Sequence, residues 1–256
     1  MGEAMLSAVL DKGLSAPEAV SLGEVREERR QKLNSQFGVM VTESNKEAVA
    51  SKDVVVLAIK PQNLAEVMAE LNGCLEPSQL VLSIIAGARI DSLCRGLSHR
   101  RIVRAMPNTP AQVGAGISAW TATAEVTGEQ KERAQAILGA MGKEIYFDDE
   151  KYLDMATAVS GSGPAYFFLF VEALIAAAVN IGLPPEDAGK MVFETMQGSS
   201  RLILQLDKSP AELRRMVTSP GGTTAAALEQ FQKGGLDKLI MKAVRAAYKR
   251  AKELGK

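Results

Sequence analysis

Short apolar runs alternate with amphipathic stretches along the first half of the chain. Helical patterns separate most of these runs, an order that is typical of parallel βαβ units. Residues 54–59 contain no polar side chain, as in a strand that is covered on both faces of its sheet. The pattern predicts an α/β fold with a doubly wound, Rossmann-type sheet, and its candidate strands are residues 19–25, 38–41, 54–59, 80–85, 102–105, 116–122 and 144–147.

The strand pattern stops near Asp149, and the rest of the chain is predicted to form helices joined by Pro, Gly and Ser turns. We therefore expect a dinucleotide-binding domain, residues 1–149, and an all-α C-terminal domain, residues 150–256. The longest apolar run covers residues 165–183. Glu172 interrupts this run, so we expect the helix to be buried in a core or a subunit interface and not to cross a membrane.

A glycine-rich loop at residues 217–224, Val-Thr-Ser-Pro-Gly-Gly-Thr-Thr, lies directly before a helix-forming run. Pro220 fixes one backbone dihedral angle, and the two following glycines permit conformations that side chains forbid. If the threonines cap the helix, several main-chain N–H groups converge at its positive end. The loop is predicted to bind a small carboxylate, although an ordinary helix–helix turn explains these residues equally well.

Two further segments accompany this loop. Residues 101–110, Arg-Ile-Val-Arg-Ala-Met-Pro-Asn-Thr-Pro, lead a strand into a proline-containing turn, and residues 160–166, Ser-Gly-Ser-Gly-Pro-Ala-Tyr, precede the long apolar helix. In order and spacing, the three segments resemble the signature segments of the pyrroline-5-carboxylate reductase family, and the resemblance covers essentially the whole chain. It implies hydride transfer from NADPH, or NADH, to the C=N carbon of 1-pyrroline-5-carboxylate, which gives L-proline. It also implies a helical dimerisation domain and a homodimer or higher homo-oligomer.

The same resemblance assigns roles to individual residues. Lys60 lies near the substrate, and Thr224 and Lys60 are the candidate catalytic residues. The proton for the imine nitrogen has three open sources: solvent, an already protonated substrate, and Thr224. The expected substrate-binding residues are Glu150, Met216, Ser219, Gly221, Gly222, Thr223 and Thr224. The expected cofactor-binding residues are Gly2, Ala58, Ile59, Lys60, Pro61, Ile84, Ile85, Ala86 and Asn108.

Side-chain roles differ among these residues. Met216 stands where some relatives carry a polar residue, and Thr223 stands where some carry alanine, so we expect backbone contacts at both. Glu150 would favour a cationic imine, but it is equally explained as an exposed member of the acidic run at residues 148–150. Ser162 is predicted to cap the helix that begins near Pro164, without a catalytic role.

The chain opens on a predicted helix, residues 1–10, without a strand before it. In the family this helix follows a buried strand that ends in a glycine-rich turn, and Gly2 matches the last glycine of that turn. We therefore expect the sheet to lack its first, central strand. A start set at an internal methionine of a longer protein and a real loss of the strand both explain this, and we favour the former.

Cations follow the candidate strand at residues 19–25. Arg26 lies at its end, with Arg29 and Arg30 one helical turn later, and these side chains would suit the 2′-phosphate of NADPH. Glu24 would instead hold the ribose hydroxyl of NADH. We therefore expect Arg26 to bind the cofactor and NADPH to be preferred, although a solvated, charge-rich helix start explains the same residues.

Composition narrows the function classes. Thirty basic residues balance thirty acidic ones, so no net charge draws the chain to nucleic acid or to an anionic membrane. Cys74 and Cys94 cannot form the disulfide framework of a secreted protein, and residues 1–20 lack a signal-peptide pattern, so we expect a cytoplasmic protein. His99 is the only histidine and is predicted to lie in a surface turn. A multi-histidine metal site is thereby excluded, and no metal is expected.

Two other functions stay open. Another Rossmann-type reductase, acting on imines or hydroxy acids, would usually carry a lysine or an aspartate on the long helix. Neither residue type occurs between residues 164 and 179, which disfavours this alternative. A cofactor-deficient dimeric binding module is the other alternative, because the first strand and its glycine loop are not found in the sequence.

Overall fold

A computed structural model describes residues 1–255 of the chain. Its contacts divide the chain into two compact units, Met1–Ser162 with Ala247–Lys256, and Gly163–Ala246. The strands are β1 (Ser21–Gly23), β2 (Met40–Thr42), β3 (Val54–Leu57), β4 (Leu80–Ser83), β5 (Ile102–Met106), β6 (Gly116–Ala122) and β7 (Gly142–Tyr146). The helices are α1 (Gly2–Asp11), α2 (Glu27–Phe37), α3 (Asn45–Val49), α4 (Leu64–Leu71), α5 (Ile90–Leu97), α6 (Gly128–Ala140), α7 (Lys151–Ala156), α8 (Gly163–Asn180), α9 (Pro185–Gln205), α10 (Pro210–Met216), α11 (Thr223–Lys233) and α12 (Leu236–Leu254).

Every predicted strand segment overlaps an observed strand, which confirms the strand prediction. β3, β4 and β5 run parallel, with Leu57 opposite Ser83 and Ser83 opposite Arg104. β6 runs antiparallel to β5 and parallel to β7. β1 and β2 form a separate, two-stranded parallel sheet. The first unit therefore contains the expected α/β sheet, but the sheet is split into two pieces.

β4 is covered on both of its faces. Leu80 and Leu82 pack with Met5 of α1 in one apolar cluster, while Val81 packs with Leu93 of α5 in another. Alternate residues of a strand point to opposite sides of its sheet, so the unbroken apolar sequence of β4 supplies both layers at once. This two-sided burial is what the sequence predicts for a parallel strand between helices.

The two pieces of the sheet are separated by a gap. Residues of β1, β3 and α1 line a cavity of about 890 Å³ between the facing edges of β1 and β3. In a doubly wound sheet the first strand lies between these two strands. Among the described residues, no strand fills that central position.

The second unit leaves a large apolar surface uncovered by its own chain. Phe167, Phe168 and Leu169 of α8 are each more than 60% exposed. The continuous helix Lys151–Asn180 is long and apolar enough to cross a membrane by length and composition alone. Only 6% of its most apolar window is buried within the described chain, so this surface is available for a partner.

Two local predictions are wrong. His99 is buried, and its Nε2 lies 2.8 Å from the Gln79 carbonyl oxygen, because Ser98 adopts φ +51° after α5 and turns the chain inward. Ser162 does not have the extended backbone of a residue that caps the start of a helix. Its backbone is helical, and it lies between a π-helical turn, Thr157–Gly161, and α8 in one continuous helix.

The compact units divide after Ser162, whereas the predicted domain boundary lies after Asp149, and that domain division stays a prediction. α7 and the π-helical turn belong to the first unit, which continues to Ser162. Arg104 of β5 forms ion pairs with Glu150 and Asp154, and these pairs hold the start of the long helix in the first unit.

Candidate active site

The carboxyl ends of β3 and β4 lie side by side. The Ile84 N–H donates to the Leu57 carbonyl at 3.1 Å, which continues the ladder to the last residue of β3. Segments 58–61 and 84–86, both expected to contact the cofactor, therefore follow neighbouring strands at one edge of the sheet. Ligands of doubly wound sheets bind in such a crevice.

These two segments differ in exposure. Ala58, Lys60 and Pro61 are exposed, whereas Ile85 is buried beneath the loop that follows β4. Lys60 is the residue before the short helical turn Pro61–Asn63, and no described residue is found as a partner of its ammonium group. A ligand in the crevice would thus meet the backbone of both segments and the side chain of Lys60.

Gly2 allows α1 to approach the end of β3. A Cβ built on Gly2 would lie 2.9 Å from the Ala58 Cβ, closer than such atoms pack. This is the role of the last glycine in a dinucleotide-binding turn, which lets the first helix pack against the sheet. Gly2, Arg26, Ala58 and Ile59 line the same cavity, so the positive end of α1 faces this cavity too.

Glu24 and Arg26 form a charged pair in the loop between β1 and α2. The Arg26 N–H donates to Glu24 Oε1 at 3.0 Å, and the Arg26 Nε lies 3.3 Å from the same oxygen. Burial alone would raise the pKa of Glu24, but the hydrogen bonds and charge of Arg26, with the charge of Arg29, outweigh it and hold the pKa below its usual value. The pair therefore stabilises the fold fully above the unfolded-state pKa of Glu24, and this contribution is lost as the pH falls through the lowered folded-state value.

The other two arginines near this loop already have partners within the chain. The Arg30 guanidinium donates to the Glu24 carbonyl at 3.0 Å, and Arg29 forms an ion pair with Glu3 at the start of α1. Arg26 keeps 72% of its side-chain area exposed. Of the three predicted cations, Arg26 is therefore the one most available to a phosphate.

The glycine-rich loop of the second unit is a tight turn. The Gly222 N–H donates to the Ser219 carbonyl at 3.1 Å, with Pro220 at the second position of the turn. Gly221 has φ +69°, the left-handed conformation that a type II turn requires at its third position. The Pro-Gly-Gly sequence thus fixes the turn that leads into α11.

α11 begins with N–H groups that no side chain of the described residues caps. Gly222 is the residue before the helix, and Thr223 and Thr224 lie within its first turn. The expectation that the threonines cap this helix is therefore wrong. The N–H groups of Thr223, Thr224 and Ala225 have no acceptor inside the helix, and the helix dipole favours an anion at this end.

The segment before the loop is also ordered by local bonds. Met216 ends α10 with an exposed side chain, and Thr218 Oγ1 donates to the Arg214 carbonyl at 2.6 Å. Ser209 and Glu212 form a capping box at the start of α10. The expected substrate residues 216–224 therefore form one continuous, locally braced segment in the second unit.

Glu150 is not a free member of an acidic run. Its Oε1 accepts hydrogen bonds from Arg104 Nη1 at 2.7 Å and from the Ile90 N–H at 2.9 Å. Arg104 also donates to Asp154 at 3.2 Å, and only 4% of its side-chain area is exposed. Sequence reasoning missed Arg104 and Asp154, although an arginine within an otherwise apolar strand is a signal for a buried ion pair.

Asn108 is engaged on both sides of its amide. Its Nδ2 donates to the Ser160 carbonyl at 3.1 Å, and its Oδ1 accepts from the Ile117 N–H at 2.9 Å. The side chain expected to contact the cofactor thus makes two bonds to its own chain. Cofactor contact by Asn108 stays a prediction.

Known proteins match both parts of this chain. Residues 150–254 match the family model described as pyrroline-5-carboxylate reductase dimerisation, and residues 1–87 match that of NADP oxidoreductase, coenzyme F420-dependent. The pyrroline-5-carboxylate reductase of Pseudomonas aeruginosa is 43% identical over 260 residues, which cover 99% of this chain and 95% of the relative. The chain belongs to the pyrroline-5-carboxylate reductase family. The resemblance found in the sequence is thereby confirmed.

Solved structures of the pyrroline-5-carboxylate reductase family share the fold. The enzyme from Coxiella burnetii has a TM-score of 0.92 at 36% identity, covering 100% of this chain and 95% of its own. The Plasmodium falciparum enzyme, solved with NADP bound, has a TM-score of 0.90 at 31% identity, again covering 100% of this chain and 95% of its own. The predicted fold class, a Rossmann-type α/β sheet followed by a helical dimerisation domain, is confirmed.

Proposed function

We propose that this chain reduces 1-pyrroline-5-carboxylate to L-proline with NADPH, or NADH, in the last step of proline biosynthesis. One observation carries the proposal: named pyrroline-5-carboxylate reductases are related to the chain over 99 to 100% of its length. The fold, the crevice at the strand ends and the uncapped helix start in the second unit all support it.

The residues of the first unit fit a nicotinamide cofactor. The close contact of Gly2 with Ala58 brings the positive end of α1 to the cavity, where it would hold the pyrophosphate. Arg26 would bind the adenosine 2′-phosphate, while the backbone at Ala58–Pro61 and Ile84–Ala86 would hold the nicotinamide side. When bound, the cofactor supplies the hydride.

The residues of the second unit fit a small carboxylate. The N–H groups of Thr223 and Thr224, with the rigid turn at Ser219–Gly222, would hold the carboxylate of the substrate. The Thr224 hydroxyl would donate a hydrogen bond to the bound carboxylate or to the ring nitrogen, and Lys60 would supply a positive charge near the substrate. The proposed role of these residues is to bind and orient the substrate, because the cofactor carries the reaction itself.

We propose further that the exposed face of α8 is covered by a second copy of the chain. Its apolar side chains exceed what a helix facing water would carry, and the matched family model describes a dimerisation domain. The homodimer, or a higher homo-oligomer, would be a cytoplasmic enzyme that binds neither membranes nor nucleic acid. Balanced charge and two free cysteines support this placement.

The proposal is tested by incubating the purified chain with 1-pyrroline-5-carboxylate and NADPH, and by measuring proline and cofactor oxidation together. Equal amounts of proline and oxidised cofactor are expected. Reduction of other imines or of 2-oxo acids without proline formation would favour the other reductase class.

Cofactor binding at the gap between β1 and β3 is a separate prediction with a test of its own. Among the described residues, no strand pairs with the facing edges of β1 and β3, and Gly2 and Arg26 line the cavity there. We expect weak NADPH binding by residues 1–256 alone, and tight binding after a strand and a glycine-rich turn of the dinucleotide-binding type are joined before Met1. We call that variant the strand-extended chain. Tight, stoichiometric NADPH binding without the added strand would show that Gly2 has been misinterpreted.

A further inference from the structure

Arg104, Met106 and Asn108 lie on one face of β5 and of the chain that follows it. They are spaced by two residues, and side chains at this spacing point to the same side of an extended chain. All three contact residues 150–161, the start of the long helix. We name these three residues the β5 seat.

Each residue of the β5 seat makes a different kind of contact. Arg104 binds the carboxylates of Glu150 and Asp154. Met106 packs on Gly161, where an added Cβ would lie 3.0 Å from the Met106 Cε. Asn108 donates to the carbonyl of Ser160 at 3.1 Å. The seat therefore holds the helix by charge at its first turn and by packing and a hydrogen bond at its π-helical turn.

One carbonyl of the π-helical turn, that of Ser160, lacks its usual α-helical donor. The Ser162 N–H donates to the Thr157 carbonyl at 2.8 Å, a bond that spans five residues instead of four. The N–H that an α-helix would direct to the Ser160 carbonyl belongs to residue 164, and Pro164 has none. A partly buried carbonyl that lacks its α-helical donor is costly to leave unpaired, and the Asn108 amide donates to it.

We propose that Asn108 is a positioning residue of the reductase: it replaces the N–H that Pro164 lacks and so fixes the helix that leads along the chain into the second unit. The effect on turnover rests on the proposed function. The helix precedes, along the chain, the segment that carries the proposed substrate residue Thr224. Loss of the bond lowers turnover and stability, because the π-helical turn is then free to shift. This role needs no contact with the cofactor, so the Michaelis constant for NADPH should stay nearly unchanged, whereas the cofactor contact implied by family resemblance would raise it.

The test is a double-mutant cycle with Asn108→Ala, Pro164→Ala and the double variant in the full chain. Pro164→Ala restores a backbone N–H that can donate to the Ser160 carbonyl, so this change should reduce the penalty of Asn108→Ala. Asn108→Ala alone should raise the unfolding equilibrium constant about 5- to 30-fold. In the Pro164→Ala background the same change should raise it at least threefold less. Asn108→Ala also removes the acceptor of the Ile117 N–H. This loss has the same cost in both backgrounds, so it cancels in the comparison.

Equal penalties in both backgrounds would overturn the proposal. If Asn108→Ala does not fold, the double variant is expected to fold, and its failure would count against the proposal as well. Kinetics of the strand-extended chain give the second readout, a lowered kcat with an unchanged Michaelis constant for NADPH. A raised Michaelis constant at unchanged kcat would show direct cofactor contact by Asn108. If the cycle shows that Asn108 and Pro164 are coupled in stability but no proline forms, the positioning of the helix by Asn108 is supported. The proposed function is then rejected instead.

Discussion

Arg104 and Arg26 belong to the same unit but have opposite environments. Arg104 is buried on β5 between two carboxylates, whereas Arg26 keeps 72% of its side-chain area exposed in the loop after β1. The first arginine is fully used by its own fold, and the second is available to a ligand. Burial and existing partners, more than residue type, thus separate a structural cation from a candidate binding cation.

The same contrast holds between the two sides of the sheet. Around β5 every functional group that we describe has a partner within the chain, while the edges of β1 and β3 face an open cavity. We therefore expect substitutions near β5 to act mainly on stability. Substitutions near the cavity and in the second-unit loop should act mainly on binding and turnover.

The largest effect is expected for Arg104→Leu. This change leaves Glu150 and Asp154 without their shared cation, and loss of one partner of a buried pair costs roughly 3–5 kcal/mol. Urea unfolding of the full chain measures the change. Arg89→Leu is the matched control, because Arg89 is half exposed and lies 3.7 Å from the same Asp154, and it should cost less than about 1 kcal/mol. Similar losses for the two variants would remove the distinction between buried and exposed arginines.

Thr224→Ala should impair turnover next most strongly. The change removes one hydrogen bond to a charged group, so kcat/KM for 1-pyrroline-5-carboxylate should fall by roughly 1.5–3 kcal/mol in transition-state free energy, with NADPH affinity preserved. Steady-state kinetics measure the loss of turnover, and equilibrium binding measures the NADPH affinity, both in the strand-extended chain. Thr223→Ala keeps its backbone N–H and should retain nearly full activity. Unchanged turnover in Thr224→Ala would reject the role of this hydroxyl.

Gly2→Ala should displace α1 from the end of β3. The new methyl group would meet the Ala58 Cβ at 2.9 Å, an overpacking that costs about 1–3 kcal/mol in stability and weakens NADPH binding. Gly128→Ala, at the first residue of α6, is the control, because an added Cβ there meets open space. Adding Ala58→Gly should restore binding to the Gly2→Ala variant. In the strand-extended chain, a Gly2→Ala variant that binds NADPH as tightly as its parent would contradict the packing argument.

The smallest effect is expected for Arg26→Ala. Arg26 is solvent-exposed and already paired with Glu24, so its loss should raise the Michaelis constant for NADPH by about fivefold, or about 1 kcal/mol, and leave that for NADH nearly unchanged. Glu24→Gln removes the competing charge and should shift preference further toward NADPH. Equal changes for both cofactors in Arg26→Ala would reject its contact with the 2′-phosphate.

Local patterns in the sequence predict the strands well but not the contacts that join distant segments. β4 is predictable because its unbroken apolar residues require burial on both faces. The pairing of Arg104 with Glu150 spans 46 residues, and no local pattern contains it. The inward turn of His99 depends on the left-handed backbone of Ser98, which a serine rarely adopts.

In the candidate site too, local sequence predicts some features and not others. The type II turn at Ser219–Gly222 follows from Pro-Gly-Gly directly, because each residue fixes or permits one backbone angle. The role of Asn108 does not follow from local sequence, because its amide donates to Ser160, 52 residues further along the chain. Family resemblance indicates which segments belong to the site, and the structure shows which side chains are already occupied.

The most direct test of the account is the formation of proline by the strand-extended chain. The chain would be incubated with 1-pyrroline-5-carboxylate and NADPH, and proline would be quantified against oxidised cofactor. The account predicts one proline per cofactor oxidised, with much less product from the chain without the added strand. Tight NADPH binding without any proline formed from 1-pyrroline-5-carboxylate would contradict it.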